Sequence, residues 1–317
     1  ESARYRRETF STCELDRPVL AQFCANDPVV FVRAAKHVQH LVDGVDLNLG
    51  CPQRLAKQGH YGAFLMEHLT LVEEIVRHGV QELDVPVTVK IRVFDDDAKT
   101  LDYARRLRDA GAAMIGVHGR TRVQKDARVY RADWDIIRKV VEALPDVPVI
   151  ANGNIRDRAD VEACLAYTGA AAVMSATALL DNPTALSLEE YPPEVAADVM
   201  LRYLDLVEQY PVPLRMVHGH MHSTLGPWLA EFTDLRDELN HVARLGKSDV
   251  NVSLPLYRAV ASATRERVRD IVRNEGRMEP KPIKPVDPLP QIWPTKGNEP
   301  QPPPPAGVRG TWDEGPG

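Results

Sequence analysis

Six short runs rich in valine, isoleucine and alanine recur in the first 176 residues, and nearly every one ends on a polar side chain. They occupy residues 18–23, 44–50, 85–93, 113–119, 147–153 and 170–176. Runs of this length, separated by stretches of helical period, read as buried parallel strands alternating with helices. Residues 28–42 carry a helix start, Asn26-Asp27 followed by a first-turn proline, and residues 100–110 run out at Gly111. Such alternation admits an α/β barrel or an open doubly wound sheet.

The polar residues choose between them. Gln22, Asn48 with Cys51, Lys90 with Arg92, His118, Asn152 with Asn154, and Ser175 stand at or just beyond the run ends. A barrel builds its site from the C-terminal ends of many strands, whereas an open sheet gathers chemistry at one switch point, usually with a G-x-G-x-x-G turn that this sequence lacks. A TIM (β/α)8 barrel is therefore predicted. Only 17 residues precede the first run and the chain begins with Glu1, so the first two strands are expected to be missing.

After residue 185 the strand rhythm stops. Residues 195–208, 214–224, 227–245 and 256–274 read as amphipathic helices of a small all-helical domain. From Glu279 onward 12 residues are proline, which prevents propagation of helix or sheet. The predicted layout is a catalytic barrel over 1–190, a helical domain over 195–275 and a disordered Pro-rich tail over 279–317.

Several function classes drop out. No apolar stretch is long enough for a membrane span, and the N-terminus has no signal-peptide run, so a cytoplasmic protein is expected, with the nucleus as a second location. Cys13, Cys24, Cys51 and Cys164 form no C-x-x-C pair, so neither a disulfide scaffold nor a metal site is predicted. A net charge of -6 argues against coating nucleic acid by bulk electrostatics. Locally the balance reverses: Arg120, Arg122, Lys125, Arg128 and Arg131 face a single Asp126, which reads as a phosphate-backbone patch or a solvated loop.

Within Asp46-Leu-Asn-Leu-Gly-Cys-Pro-Gln53 a buried strand runs straight into Gly-Cys-Pro, placing the Cys51 thiol where barrel loops do chemistry; its plainer reading is an inert buried cysteine. Lys90 and Arg92 alternate with apolar residues, and a buried ammonium needs an anion or strong hydrogen-bond partners. For Lys90 a structural salt bridge is the alternative, for His118 a satisfied core histidine. Ala-Asn152-Gly153-Asn154 and Ser-Ala176-Thr177 end the last two runs with small, hydrogen-bonding residues, as where barrels bind phosphate.

At these residues the sequence resembles the dihydrouridine synthases, and among them the eukaryotic branch acting at tRNA positions 16 and 17. The stretches that carry it lie between Tyr5 and Leu245: Ala-Gln-Phe-Cys-Ala-Asn-Asp27, the run from Asp46 to Ala63, Val-Lys-Ile-Arg-Val93, His118-Gly-Arg-Thr-Arg-Val-Gln-Lys125, Ala-Asn-Gly-Asn154 and Tyr203-Leu-Asp-Leu-Val-Glu-Gln-Tyr-Pro211. The resemblance implies an FMN enzyme that uses NADPH or NADH to reduce uridine in the tRNA D-loop; a monomer is expected. By the same resemblance Cys51 is the general acid. Gln22, Lys90 and His118 contact the flavin or its ribityl chain, Asn152, Gly153, Asn154, Ala176 and Thr177 hold its phosphate end, and Asn48 orients the uracil. Arg120, Arg122, Lys125 and the helical domain meet the tRNA. Hydride delivered to uracil C6 leaves an enolate needing a proton at C5; an ordinary thiol, with pKa near ~8.5, keeps one at neutral pH. The sequence departs from this branch at Ser175-Ala-Thr-Ala178, where Ser-Ala-Glu-Gly is expected, so Ala178 would be strained if the glycine had positive φ.

Two rival readings remain. A barrel acting on a free pyrimidine, like dihydroorotate dehydrogenase, needs neither a basic loop nor a helical appendage. A truncated, non-catalytic tRNA binder would hold no flavin.

Overall fold

The computed structural model describes residues 5, 9–125, 130–187, 191–245 and 250–281. The chain divides into two compact units, the first comprising the residues up to Ile155 with Glu162–Met174, the second Arg156–Val161 with the residues from Ser175 on.

The first unit is built on six parallel strands in sequential order, β1 (Leu20–Phe23), β2 (Gly44–Leu49), β3 (Val87–Val93), β4 (Ile115–Thr121), β5 (Val149–Asn152) and β6 (Ala172–Met174). All six predicted runs are strands, trimmed at their ends, and they form the curled half-barrel of a TIM-type fold. Residues paired in a parallel register share a face. Gln22 pairs with Asp46 and Asp46 with Thr88; Asn48 pairs with Lys90; Arg92 pairs with His118 and His118 with Asn152. One face therefore carries every polar strand residue singled out above. The other carries Val45, Leu47, Leu49, Val89, Ile91, Val117 and Ala151, all buried.

The connecting helices follow their capping signals. Asp27 accepts the Val30 N–H at 2.8 Å and opens α1 (Pro28–Lys36). The predicted helix over 28–42 stops at Lys36, and a separate 3-10 turn spans Gln39–Leu41. α2 (Arg54–Gln58) and α3 (Leu69–Glu82) follow β2. α4 (Asp97–Asp109) starts three residues earlier than predicted because Asp96 caps it by accepting from Ala98 and Lys99, and Gly111 at φ 99° ends it. α5 (Trp134–Ala143) is capped by Asp133, and α6 (Arg158–Thr168) precedes β6.

Lys90 and His118 lie in mid-strand rather than at strand ends, because β3 and β4 stay paired beyond them through a bulge. Val93 pairs with Thr121, so Gly119 and Arg120 are two extra residues on β4. Gly119 is fixed by a close backbone: the Asp133 N–H donates to its carbonyl at 2.6 Å, and a Cβ there would lie 2.4 Å from the Asp133 oxygen. Gly119→Ala is expected to destabilise the protein by about 2–3 kcal/mol, read as a lower urea midpoint at unchanged slope. A loss under about 0.5 kcal/mol would show that the Asp133 segment yields freely.

The second unit is helical. It contains α7 (Thr177–Asp181), α8 (Val195–Gln209), α9 (Leu214–Leu229), α10 (Thr233–Leu245) and α11 (Val250–Glu275). Leu204, Val217, Met221, Leu225, Leu239 and Val260 form its core, and α7 packs on α9 with the Thr224 hydroxyl donating to the Leu180 carbonyl at 3.0 Å. Pro227, which the sequence reading placed at a helix start, sits inside α9, and Pro255 sits inside α11. Burial of Leu225, Trp228 and Leu229 on either side of Pro227 offsets the donor the proline removes. The break falls instead at Phe232, whose N–H bonds back to Trp228. Of the Pro-rich tail, residues 282–317 lie outside the described residues. No described helix is long and apolar enough to cross a membrane.

His218 packs edge-on against His222 with ring centroids 4.5 Å apart and tilts against Tyr257 at 6.2 Å; its Nδ1 is buried with no hydrogen-bond partner among the described residues. Burial, then the His222 charge, pushes it down to about 4 from an ordinary 6.5. A depressed histidine means the unfolded chain binds the extra proton, so stability falls as pH drops from 6.5 towards 4. After discounting for solvent, about 1–2 kcal/mol should be lost. The pH dependence of urea unfolding should flatten in His218→Gln; an unchanged slope would contradict this.

Candidate active site

The site begins with the turn after β2. The Asn48 side-chain oxygen accepts the backbone N–H groups of Gly50 at 3.0 Å and Cys51 at 2.9 Å. The Cys51 carbonyl accepts the Ala63 N–H at 3.0 Å. Gly62 permits that closure, with φ 64° and a Cβ position only 2.8 Å from the Cys51 oxygen. The loop after β2 thus folds back on itself and holds a half-buried thiol at the end of the polar face. Asn48 also donates to Gln22 at 2.9 Å, and Gln22 donates to the buried Asp46 at 2.7 Å.

Beside this turn stand the cations. Arg92 is buried and donates to three backbone carbonyls: Gly50 at 2.9 Å, Thr121 at 2.8 Å and Gln124 at 3.0 Å. It ties the loop after β2 to the loop after β4. Burial lowers its pKa to about 10, so it stays charged at neutral pH. Half-buried Lys90 makes no hydrogen bond or ion pair with a described residue, and no salt bridge of the kind the sequence allowed. Burial and then Arg92 push its pKa down, while Asp46 and Cys51 pull the other way.

His118 is held neutral. Burial first, then Arg92, Lys90 and Arg120, pushes it down to about 2. Arg120 Nη1 lies 3.0 Å from His118 Nε2. A guanidinium only donates, so Nε2 accepts and the ring proton sits on Nδ1.

Arg120 is not part of a solvated basic patch. It is buried, donating to the Tyr130 carbonyl at 2.7 Å and the Asn154 side chain at 2.6 Å. The β4 bulge turns it inward. Arg122 is half-buried over the Phe64 ring, with Glu67 3.1 Å away and the Ala63 carbonyl at 3.4 Å. Lys125 is exposed, while Asp126 and Arg128 lie outside the described residues. Two of the cations expected to face solvent are thus occupied in shaping the site.

Asn152 donates to the Met174 carbonyl at 2.8 Å, joining the last two strand ends. Gly153 has φ 111° and Asn154 φ 62°, the left-handed conformation that favours Gly and Asn. Asn154 holds it through bonds to Arg120 and the Ala132 carbonyl. Ala176 and Thr177 are exposed at the start of α7, in the second unit. Ala178 lies within that helix and is not among the positive-φ residues, so the feared strain does not arise. Among the described residues no group of three or more His, Cys, Asp or Glu is placed to hold a metal. The sequence reading missed Asp46 and Thr88, and saw Arg92 without its clamp; the signal for the first two was polarity inside a run of buried strand.

The sequence profile of the dihydrouridine synthases (Dus) matches residues 1–261. The chain is 44% identical over 257 residues to a mouse protein named tRNA-dihydrouridine(16/17) synthase [NAD(P)(+)]-like, covering 80% of this chain and 53% of that one. Proteins named tRNA-dihydrouridine(16/17) synthase [NAD(P)(+)] from Schizosaccharomyces pombe and Saccharomyces cerevisiae are 40% and 41% identical over 252 residues, covering 75% of this chain and 63% and 59% of theirs. The chain thus spans a little over half the length of the curated relatives it matches. Among solved structures, DHODH from Eimeria tenella aligns at TM-score 0.40 and 15% identity over 56% of this chain and 54% of its own, too slight a likeness to argue from. A profile match over most of the chain, with three relatives at or above 40% identity, settles its kinship: the chain belongs to the dihydrouridine synthase family.

Proposed function

We propose that this chain carries the catalytic core of an FMN-dependent enzyme that reduces uridine to 5,6-dihydrouridine at positions 16 and 17 of tRNA, with NADPH or NADH as reductant. The observation that carries the proposal is the convergence of Cys51, Asn48, Lys90 and His118 on the polar face of one sheet and the loop beyond it. Family membership supports the reaction class, and the names of the relatives support tRNA and the nicotinamide reductant.

The residues fit a flavin on electrostatic grounds. Arg92 lowers the proton affinity of Lys90, and Arg92, Lys90 and Arg120 lower that of His118, with Asp46 and Cys51 acting the other way on Lys90, so the face favours an anion. FMN brings a phosphate and, once reduced, negative charge on its ring. When bound it supplies the hydride to the pyrimidine. Lys90 would stabilise the negative charge that the reduced ring gains, Gln22 and neutral His118 would offer hydrogen bonds, and Asn152, Gly153 and Asn154 would hold the ribityl-phosphate end. Asn48 would orient the uracil and Cys51 would pass its thiol proton to C5. Lys125 and the helical unit would grip the tRNA while the target base leaves its stack.

The test is turnover on tRNA that lacks dihydrouridine, with NADPH oxidation and the reduced base measured together. Product in tRNA and none from free uridine or dihydroorotate is expected. Reduction of a free pyrimidine in place of tRNA would overturn the proposal.

A further inference from the structure

Asp46 belongs to no role assigned so far, yet it ends a continuous line of hydrogen bonds that reaches the Cys51 backbone. It is buried, as is Thr88 opposite it. One carboxylate oxygen accepts the Thr88 hydroxyl at 2.6 Å, the other the Gln22 amide at 2.7 Å. Gln22 then accepts from Asn48 at 2.9 Å, and Asn48 accepts the Gly50 and Cys51 N–H groups. A carboxylate only accepts, backbone N–H groups only donate, and each amide between them has one end of each kind. The line is satisfied in this one sense, which leaves Asn48 with a further N–H to offer.

Asp46 also has an alternative partner. Its charge acts on Lys90, which makes no ion pair with a described residue. Burial raises the Asp46 pKa, while the hydrogen bonds from Thr88 and Gln22, in that order, act against it. Thr88 thus fixes the carboxylate oxygen that Gln22 does not use.

We propose that Asp46, braced by Thr88, is a positioning residue that acts through Gln22 and Asn48 to fix the amide offered to the pyrimidine and the backbone that carries the Cys51 thiol. This rests on the function proposed above and adds to it two residues that touch neither flavin nor base.

The test compares four variants of the FMN-loaded protein. Asp46→Leu removes the anchor at similar size. Asp46→Asn keeps an acceptor for Gln22, because the Thr88 hydroxyl can turn and accept from the new amide. Thr88→Val releases the carboxylate with little risk to folding, and Thr88→Ser restores the hydroxyl. Readouts are kcat and KM for tRNA, FMN affinity, and the rate of Cys51 alkylation by iodoacetamide. Asp46→Leu is expected to lower kcat about 10–100-fold, as misplacement of a reacting group does, with KM and FMN affinity within about threefold. Thr88→Val should show the same pattern more weakly, and Asp46→Asn and Thr88→Ser should stay near the parent protein. The alkylation rate should change in Asp46→Leu and Thr88→Val and return in Thr88→Ser.

Parent kcat in Thr88→Val, or Asp46→Asn as impaired as Asp46→Leu, would overturn the proposal, the latter because the carboxylate's charge, not its anchoring, would then matter. If Asp46→Leu does not fold, the Thr88 pair decides. If the parent protein reduces no uridine, the proposed function fails on its own, and the alkylation rates of the Thr88 pair still decide whether the line holds Cys51.

Discussion

Cys51→Ala is expected to lower dihydrouridine formation in tRNA by about 10²–10⁴-fold, the usual loss when a positioned general acid is removed. FMN binding and oxidation of NADPH by the bound flavin should be nearly unchanged. The separation follows from the geometry. The thiol stands on a turn whose N–H groups are held by Asn48 and whose carbonyl is held by Ala63, so alanine removes the proton donor and leaves the turn in place. Cys24, exposed just beyond β1, is the control. Although the residue as a whole is exposed, partial desolvation of its thiol and then the neighbouring Cys51 raise its pKa, so it lies within electrostatic reach of Cys51. Cys24→Ser should stay within about threefold of the parent, as a residue outside the proton path does. Loss of activity in Cys24→Ser with retention in Cys51→Ala would exchange their roles.

Arg92→Ala should have the largest effect on stability. The guanidinium donates to three carbonyls from two loops in a buried position, and its removal takes a donor from each, leaving the Thr121 carbonyl with the Gln124 N–H at 3.2 Å. A loss of about 3–5 kcal/mol is expected, read as a lower urea midpoint and a melting temperature lower by roughly 8–15 °C. Arg92→Lys should recover little, because one ammonium cannot span carbonyls that a planar fork reaches. A loss below about 1 kcal/mol for Arg92→Ala would mean that the loops hold themselves.

The strands were legible because their apolar faces leave a strong pattern. Val45, Leu47 and Leu49, with Val89 and Ile91, could only be buried, and the alternate positions then had to share the other face. Cys51, Asn48, Lys90 and His118 could be picked out because a polar group in such a run needs a reason. Three features left no mark. The β4 bulge depends on how closely the Asp133 backbone approaches Gly119, and it turned Arg120 from an expected tRNA contact into a buried neighbour of His118 and Asn154. Arg92 bonds to backbone carbonyls, which no side-chain motif encodes. Pro227 looked like a helix start because its local preference was read without the buried side chains that carry α9 past it. In each case long-range packing overrode the local signal.

If the polar face of this sheet cradles a flavin, titration of the purified chain with FMN, followed by its absorbance bands near ~450 nm, will show it. Saturable binding of one flavin per chain with displaced bands, weakened in Lys90→Met, is the predicted result. A folded chain that takes up no FMN at saturating concentration, or binds it equally well in Lys90→Met, would mean that this face does not hold the flavin.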